Sequence, residues 1–67
     1  MTFGDAIEYL KAGHTLYREG WLNGDRLTCS CTSDMQFFLE VSYGDKEPIP
    51  YFAGNADIFA DDWRLMD

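Results

Sequence analysis

Positive charge is scarce in this chain: five Lys and Arg stand against twelve Asp and Glu, for a formal net charge of -7. Binding to a nucleic-acid backbone draws its affinity from clustered Lys and Arg, so a nucleic-acid partner is excluded, and an anionic partner is expected only as a small ligand at a local basic spot. No apolar run approaches the roughly 18 residues of a spanning helix, and no basic start leads into an apolar stretch. The expectation is a protein of the cytoplasm, with no membrane partner. One histidine, His14, and two cysteines, Cys29 and Cys31, give no metal-ligand spacing, since zinc takes about four ligands from looped positions. The cysteines are expected to stay reduced thiols there. A glycine-rich phosphate loop is missing, and His14 has no nucleophile beside it in a catalytic pattern. No metal and no cofactor are therefore expected, and catalysis is the least supported class of function. Asp61-Asp62 reads as a solvated turn rather than an acid–base pair.

What is present suits one small domain, residues 1–67, of class α+β. A chain of this length buries only about 60% of its unfolded surface, and an aromatic share of 16% leaves rings over for an interface or a flat ligand. Thr2 with Asp5 resembles a capping box. Phe3, Ala6, Ile7 and Leu10 then follow the i, i+3, i+4, i+7 stripe of an amphipathic N-terminal helix that Gly13 ends. His14 to Arg18 reads as a strand, Asn23-Gly24 as a hairpin turn in which both residues accept positive φ, and Arg26 to Thr32 as a half-buried strand with Leu27, Cys29 and Cys31 on one face. Ser33-Asp34 makes the next turn. Met35 to Tyr43 places Phe37, Leu39 and Val41 toward the core and leaves Phe38 on the polar face, where it is expected to cover a neighbouring subunit. After the charged turn Gly44 to Glu47, Pro48 and Pro50 confine Ile49 to an extended segment that cannot be a central strand. The helix thus packs on a small antiparallel sheet.

A short helix precedes the last strand. Asn55 reads as its N-cap and Asp57 as an acid near the positive end of the first turn. So short a helix cannot hold itself in water, and Phe59 and Trp63 are the expected inward pins before a final strand from Trp63 to Met66. Asn55 and Asp57 either cap this turn and do nothing more, or present polar groups from a rigid start. A second polar group lies in Arg18, Glu19, Gly20, Trp21 and Asn23, which place a guanidinium, a large ring and an amide on a glycine-flexed loop. Such a set grips a phosphate, stacks a base and hydrogen-bonds a sugar or base edge. The plainer alternative makes Trp21 core, pairs Arg18 with Glu19 or another acid, and leaves Asn23 as a turn former.

Three stretches in order, Met1 to Gly13, Arg18-Glu19-Gly20-Trp21 and Ala53 to Trp63, resemble the second type of Thoeris anti-defence sponge, a family of small phage proteins. The resemblance implies a non-enzymatic homo-oligomer, a tetramer favoured, that sequesters a cyclic nucleotide immune signal of the cyclic ADP-ribose type, or a cyclic oligonucleotide as in relatives acting on CBASS. It implies Trp21 stacking a base, Arg18 supplying positive charge, Asn23 beside them, and Asn55 with Asp57 reading ribose hydroxyls. Leu22 departs from the pattern, standing between Trp21 and Asn23 where members run from Trp into the Asn-Gly turn, and the connection between the second and third strands is short. A rival reading from the charge of -7 is an acidic inhibitor that binds a host defence protein directly, its carboxylates standing in for phosphates.

Overall fold

The computed structural model describes residues 1–66. Helix α1 (Phe3–Lys11) starts on a true capping box: the Thr2 hydroxyl accepts from the Asp5 amide at 3.2 Å, and the Asp5 carboxylate accepts from the Thr2 amide at 3.3 Å. Two orphan donors of the first turn are thereby satisfied. Gly13, at φ +99°, turns the chain out of the helix in the left-handed conformation that glycine adopts without strain. Ala6 and Leu10 of the apolar stripe are buried, with Phe3 and Ile7 packed against the same core.

Strands β1 (Leu16–Arg18), β2 (Arg26–Cys31), β3 (Phe37–Ser42), β4 (Ile49–Pro50) and β5 (Trp63–Leu65) form one sheet in the order β4-β3-β2-β1-β5, with every pair antiparallel. Helix α2 (Asn55–Ile58) precedes β5. The architecture is α+β, as the patterning predicts. Register aligns Leu65, Leu16, Leu27, Val41 and Ile49 across the five strands. The middle three of that row join Ala6, Leu10 and Trp63 as the buried core, and the end members, on edge strands, stay partly open. Trp63 is 1% exposed, with the Phe3 ring at 5.5 Å and the Trp21 ring edge-on at 5.6 Å. Pro50 lies on the edge strand β4 opposite Glu40, the position where a missing amide donor costs no ladder bond. No helix among the described residues is long and apolar enough to cross a membrane.

Four local expectations are corrected. Asn55 is the first residue of α2 rather than its N-cap. Gly54 holds the extended cap position without a side-chain cap, and its carbonyl accepts from Ile58 at 3.0 Å. The helix thus begins one residue earlier than read and ends at Ile58, so Phe59 falls past its last turn and is 83% exposed; Trp63 alone is an inward pin. Asn23 does not take positive φ. The β1–β2 connection is a wider loop in which Gly20 and Gly24 do, and a turn closes from the Asp25 amide to the Leu22 carbonyl at 3.0 Å. Phe37 is 53% exposed at the start of β3, with the Lys11 ammonium 6.0 Å from its ring centroid.

Truncating the centre of the buried row should be severe. Leu27→Ala is expected to cost about 2–5 kcal/mol, a large share of the roughly 3–10 kcal/mol available to a domain of this length. The two helix starts should separate in the same urea titrations. Thr2→Ala is expected to lose about 1 kcal/mol as a true cap, whereas Asn55→Ala stays within about 0.5 kcal/mol.

Candidate functional site

Two features meet where β1 and β5 run side by side, an ionic network and a groove. The network begins with Arg18, whose position in β1 sets it opposite Trp63. Its Nε donates to Asp62 Oδ1 at 2.8 Å, its Nη2 to Asp62 Oδ2 at 3.4 Å and its Nη1 to Asp57 Oδ1 at 2.8 Å. All three side chains are about three-quarters buried. Asp57 also accepts a short hydrogen bond from the Tyr51 hydroxyl, and its backbone carbonyl takes the Trp63 indole N–H at 3.1 Å. The network ties β1, the approach to α2, α2 itself and the start of β5 to one another.

Charge in the network is partly offset from within, one guanidinium against two carboxylates. Hydrogen bonds from Arg18 are the chief reason that the Asp62 carboxyl is held below its ordinary range, against an opposing effect of burial. Hydrogen bonds to Asp62 and then Asp57 push the guanidinium further up, so it stays protonated at every usable pH. Burial, followed by the hydrogen bond to Asp57, raises the Tyr51 phenol above its ordinary range. Tyr51 therefore serves as a neutral donor.

The groove has a volume of about 330 Å³ and is lined by Tyr17, Trp21, Leu22, Asn23, Leu65 and Met66. Trp21 is fixed as its wall by the edge-on contact with buried Trp63 and by a bond from its amide to the Arg18 carbonyl at 3.0 Å. Asn23 is exposed at the rim. Chemically the groove presents a rigid ring, a phenol and an amide, suited to a flat heterocycle.

The residues singled out from sequence divide accordingly. Trp21 and Asn23 share the groove, whereas Arg18 and Asp57 bind each other outside its lining. Asn55 is exposed at the start of α2 and lines neither feature. Arg18 has its acid partner, though not Glu19, whose carboxylate instead accepts from Arg64 at 2.9 Å. Asp62 is corrected from a solvated turn residue to an ion-pair partner, because the antiparallel pairing of β1 with β5 carries it to Arg18. The sequence pattern missed Tyr51 and Tyr17 altogether. Tyr51 meets Asp57 only through the fold, while strict alternation in β1 could have placed Tyr17 and Arg18 on opposite faces.

The depressed carboxyl sets a pH dependence. Asp62 contributes stability in full above the unfolded Asp value of about 3.9, and the contribution is lost as pH falls below that value through the depressed folded one. Melting temperatures measured from pH 7 downward should therefore drop below about pH 4, and Asp62→Asn should flatten that drop. Tyr51→Phe is expected to cost about 1 kcal/mol in urea unfolding, the worth of one hydrogen bond whose acceptor keeps another partner.

No curated protein matches the chain. A family model described as the Thoeris anti-defense 2-like domain matches residues 1–66. The groove and network thus lie in a chain that belongs to the Tad2-like family of Thoeris anti-defence domains, and its role is phage anti-defence.

Proposed function

We propose that this chain acts by sequestration: it binds a cyclic nucleotide immune signal, of the cyclic ADP-ribose or cyclic oligonucleotide class, and holds it without cleaving it. The observation that carries the reading is the groove itself, in which Trp21 is braced by Trp63 beside Tyr17 and the Asn23 amide. A ring that is already immobile loses little entropy when a base stacks on it. Its volume of about 330 Å³ is at the low end of the range of about 300–1,000 Å³ for ligand pockets. One groove therefore takes a base and its sugar, and the rest of a cyclic nucleotide is enclosed by a second copy of the chain.

Assembly has its own support. Phe52, Phe59 and Leu22 are 89%, 83% and 78% exposed, a large apolar surface for so small a chain. A homo-oligomer, a tetramer by resemblance, would cover it in the host cytoplasm. Neither metal nor cofactor enters this reading.

Calorimetric titration against cyclic ADP-ribose isomers and a panel of cyclic dinucleotides tests it, with chromatography of the ligand released by heat. Saturable binding and recovery of intact ligand are expected, and Trp21→Ala should weaken binding about tenfold or more, the worth of one stacked base. Recovery of a cleaved product would make the protein an enzyme. Silence across the whole panel would overturn sequestration in favour of direct inhibition of a host protein. Sedimentation at micromolar concentration should find an oligomer.

A further inference from the structure

The three arginines of the chain differ in what already holds them. Arg18 is enclosed by Asp57 and Asp62, so the cluster carries a net negative charge before any ligand arrives. It also leaves β1 on the face opposite Tyr17, the groove residue next to it in sequence. A phosphate approaching Arg18 would meet two carboxylates that hold the guanidinium at 2.8 Å.

The other two arginines lie on the strands either side of β1. Register pairs Tyr17 with Arg64 of β5, and directly opposite residues have Cβ atoms about 4.5–5.5 Å apart. On the other side, Leu16 pairs with Leu27 of β2, the residue after Arg26. Arg26 is steadied by the backbone: its Nη1 donates to the carbonyls of Gly24 at 2.9 Å and Gly44 at 2.8 Å, and Gly24 is the neighbour in sequence of the groove residue Asn23. Among the described residues Arg26 forms no ion pair with a carboxylate; the nearby Asp25 carboxylate is turned to the Gly44 amide at 3.0 Å. Arg64 pairs with Glu19, and the two side chains are 55% and 65% exposed. Exposed pairs of this kind contribute little and exchange readily.

We propose that Arg26 and Arg64, which adjoin the groove without lining it, take the phosphate oxygens of a nucleotide whose base stacks on Trp21, while Arg18 remains an internal strut. The proposal rests on the sequestration reading and names which cations of that site meet the ligand. A guanidinium presents a planar fork that matches phosphate geometry. Glu19 yields Arg64 to the ligand as it docks. The arrangement also resolves a conflict in the charge balance: an acidic chain takes an anionic ligand at its two least neutralised arginines.

The full chain is titrated with cyclic ADP-ribose and with cyclic di-adenylate, at about 50 and 300 mM salt, either side of the range in which the screening length falls below about 10 Å. Wild type is compared with Arg64→Gln, Arg26→Gln, Arg26→Lys and Arg18→Gln, and melting temperature is followed for each. For the better-bound probe, Arg64→Gln and Arg26→Gln should each weaken affinity about tenfold or more and shrink its loss with salt, and Arg26→Lys should restore part of both. Arg64 is exposed, so its variant reports on binding without a burden on the fold. Wild-type affinity and salt dependence in both Arg64→Gln and Arg26→Gln would overturn the proposal while leaving sequestration intact. So would a loss confined to Arg18→Gln with its melting temperature unchanged. Failure of the wild type to bind either probe would overturn this proposal, and silence across the wider panel would remove the sequestration reading with it.

Discussion

Asp57 is the residue on which the second half of the molecule depends. Helix α2 has four residues, too few to repay the cost of its own nucleation. Its two faces offer no buried side chain in compensation. What holds it is a convergence on one position: the Asp57 carboxylate takes Arg18 and Tyr51, and its carbonyl takes the indole of Trp63. Because Trp63 is also the largest buried side chain and the contact surface of Trp21, the same convergence sets the wall of the groove. Polar contacts here do the positioning that a larger protein would assign to core packing.

Small size explains this division. Among the described residues six apolar side chains make up the buried core, two from α1 and four from the sheet, and Trp63 is the member of it that meets α2. Rings left outside it, Phe52 and Phe59 above all, lie on the surface. In the proposed assembly they would complete in a second copy what one chain lacks the length to bury, and the groove would be closed by the same association. The most perturbed ionisable groups, Arg18, Asp62 and Tyr51, are engaged with one another and with Asp57.

Much of the fold was legible because its signals are local. The apolar stripe and capping box of α1 lie within a dozen residues, as do the alternation of β2 around Leu27 and the two prolines that mark β4 as an edge. Boundaries at α2 were less legible, since Gly54 and Asn55 both suit a cap position and a one-residue choice decides whether Phe59 faces in or out. Trp21 and Asn23, read together from one glycine-flexed loop, share the groove. The resemblance could not show that Arg18 and Asp57 would spend their charges on each other, because Arg18 Nη1 and Asp57 Oδ1 are brought together by a strand pairing between β1 and β5 that no spacing encodes.

The amino-acid sequence by itself determined the element types, the buried face of α1, the edge position of Pro50 and the family, since each follows from the periodicity or order of neighbouring residues. Only the tertiary structure decided which charges are free. Arg18, Arg26 and Arg64 are equivalent as letters, and what separates them is the distance to a carboxylate: 2.8 Å to Asp57 and Asp62 for the first, an exposed partner for the third, and no ion pair among the described residues for the second. Electrostatic availability is a property of three-dimensional proximity, and it is read from the fold.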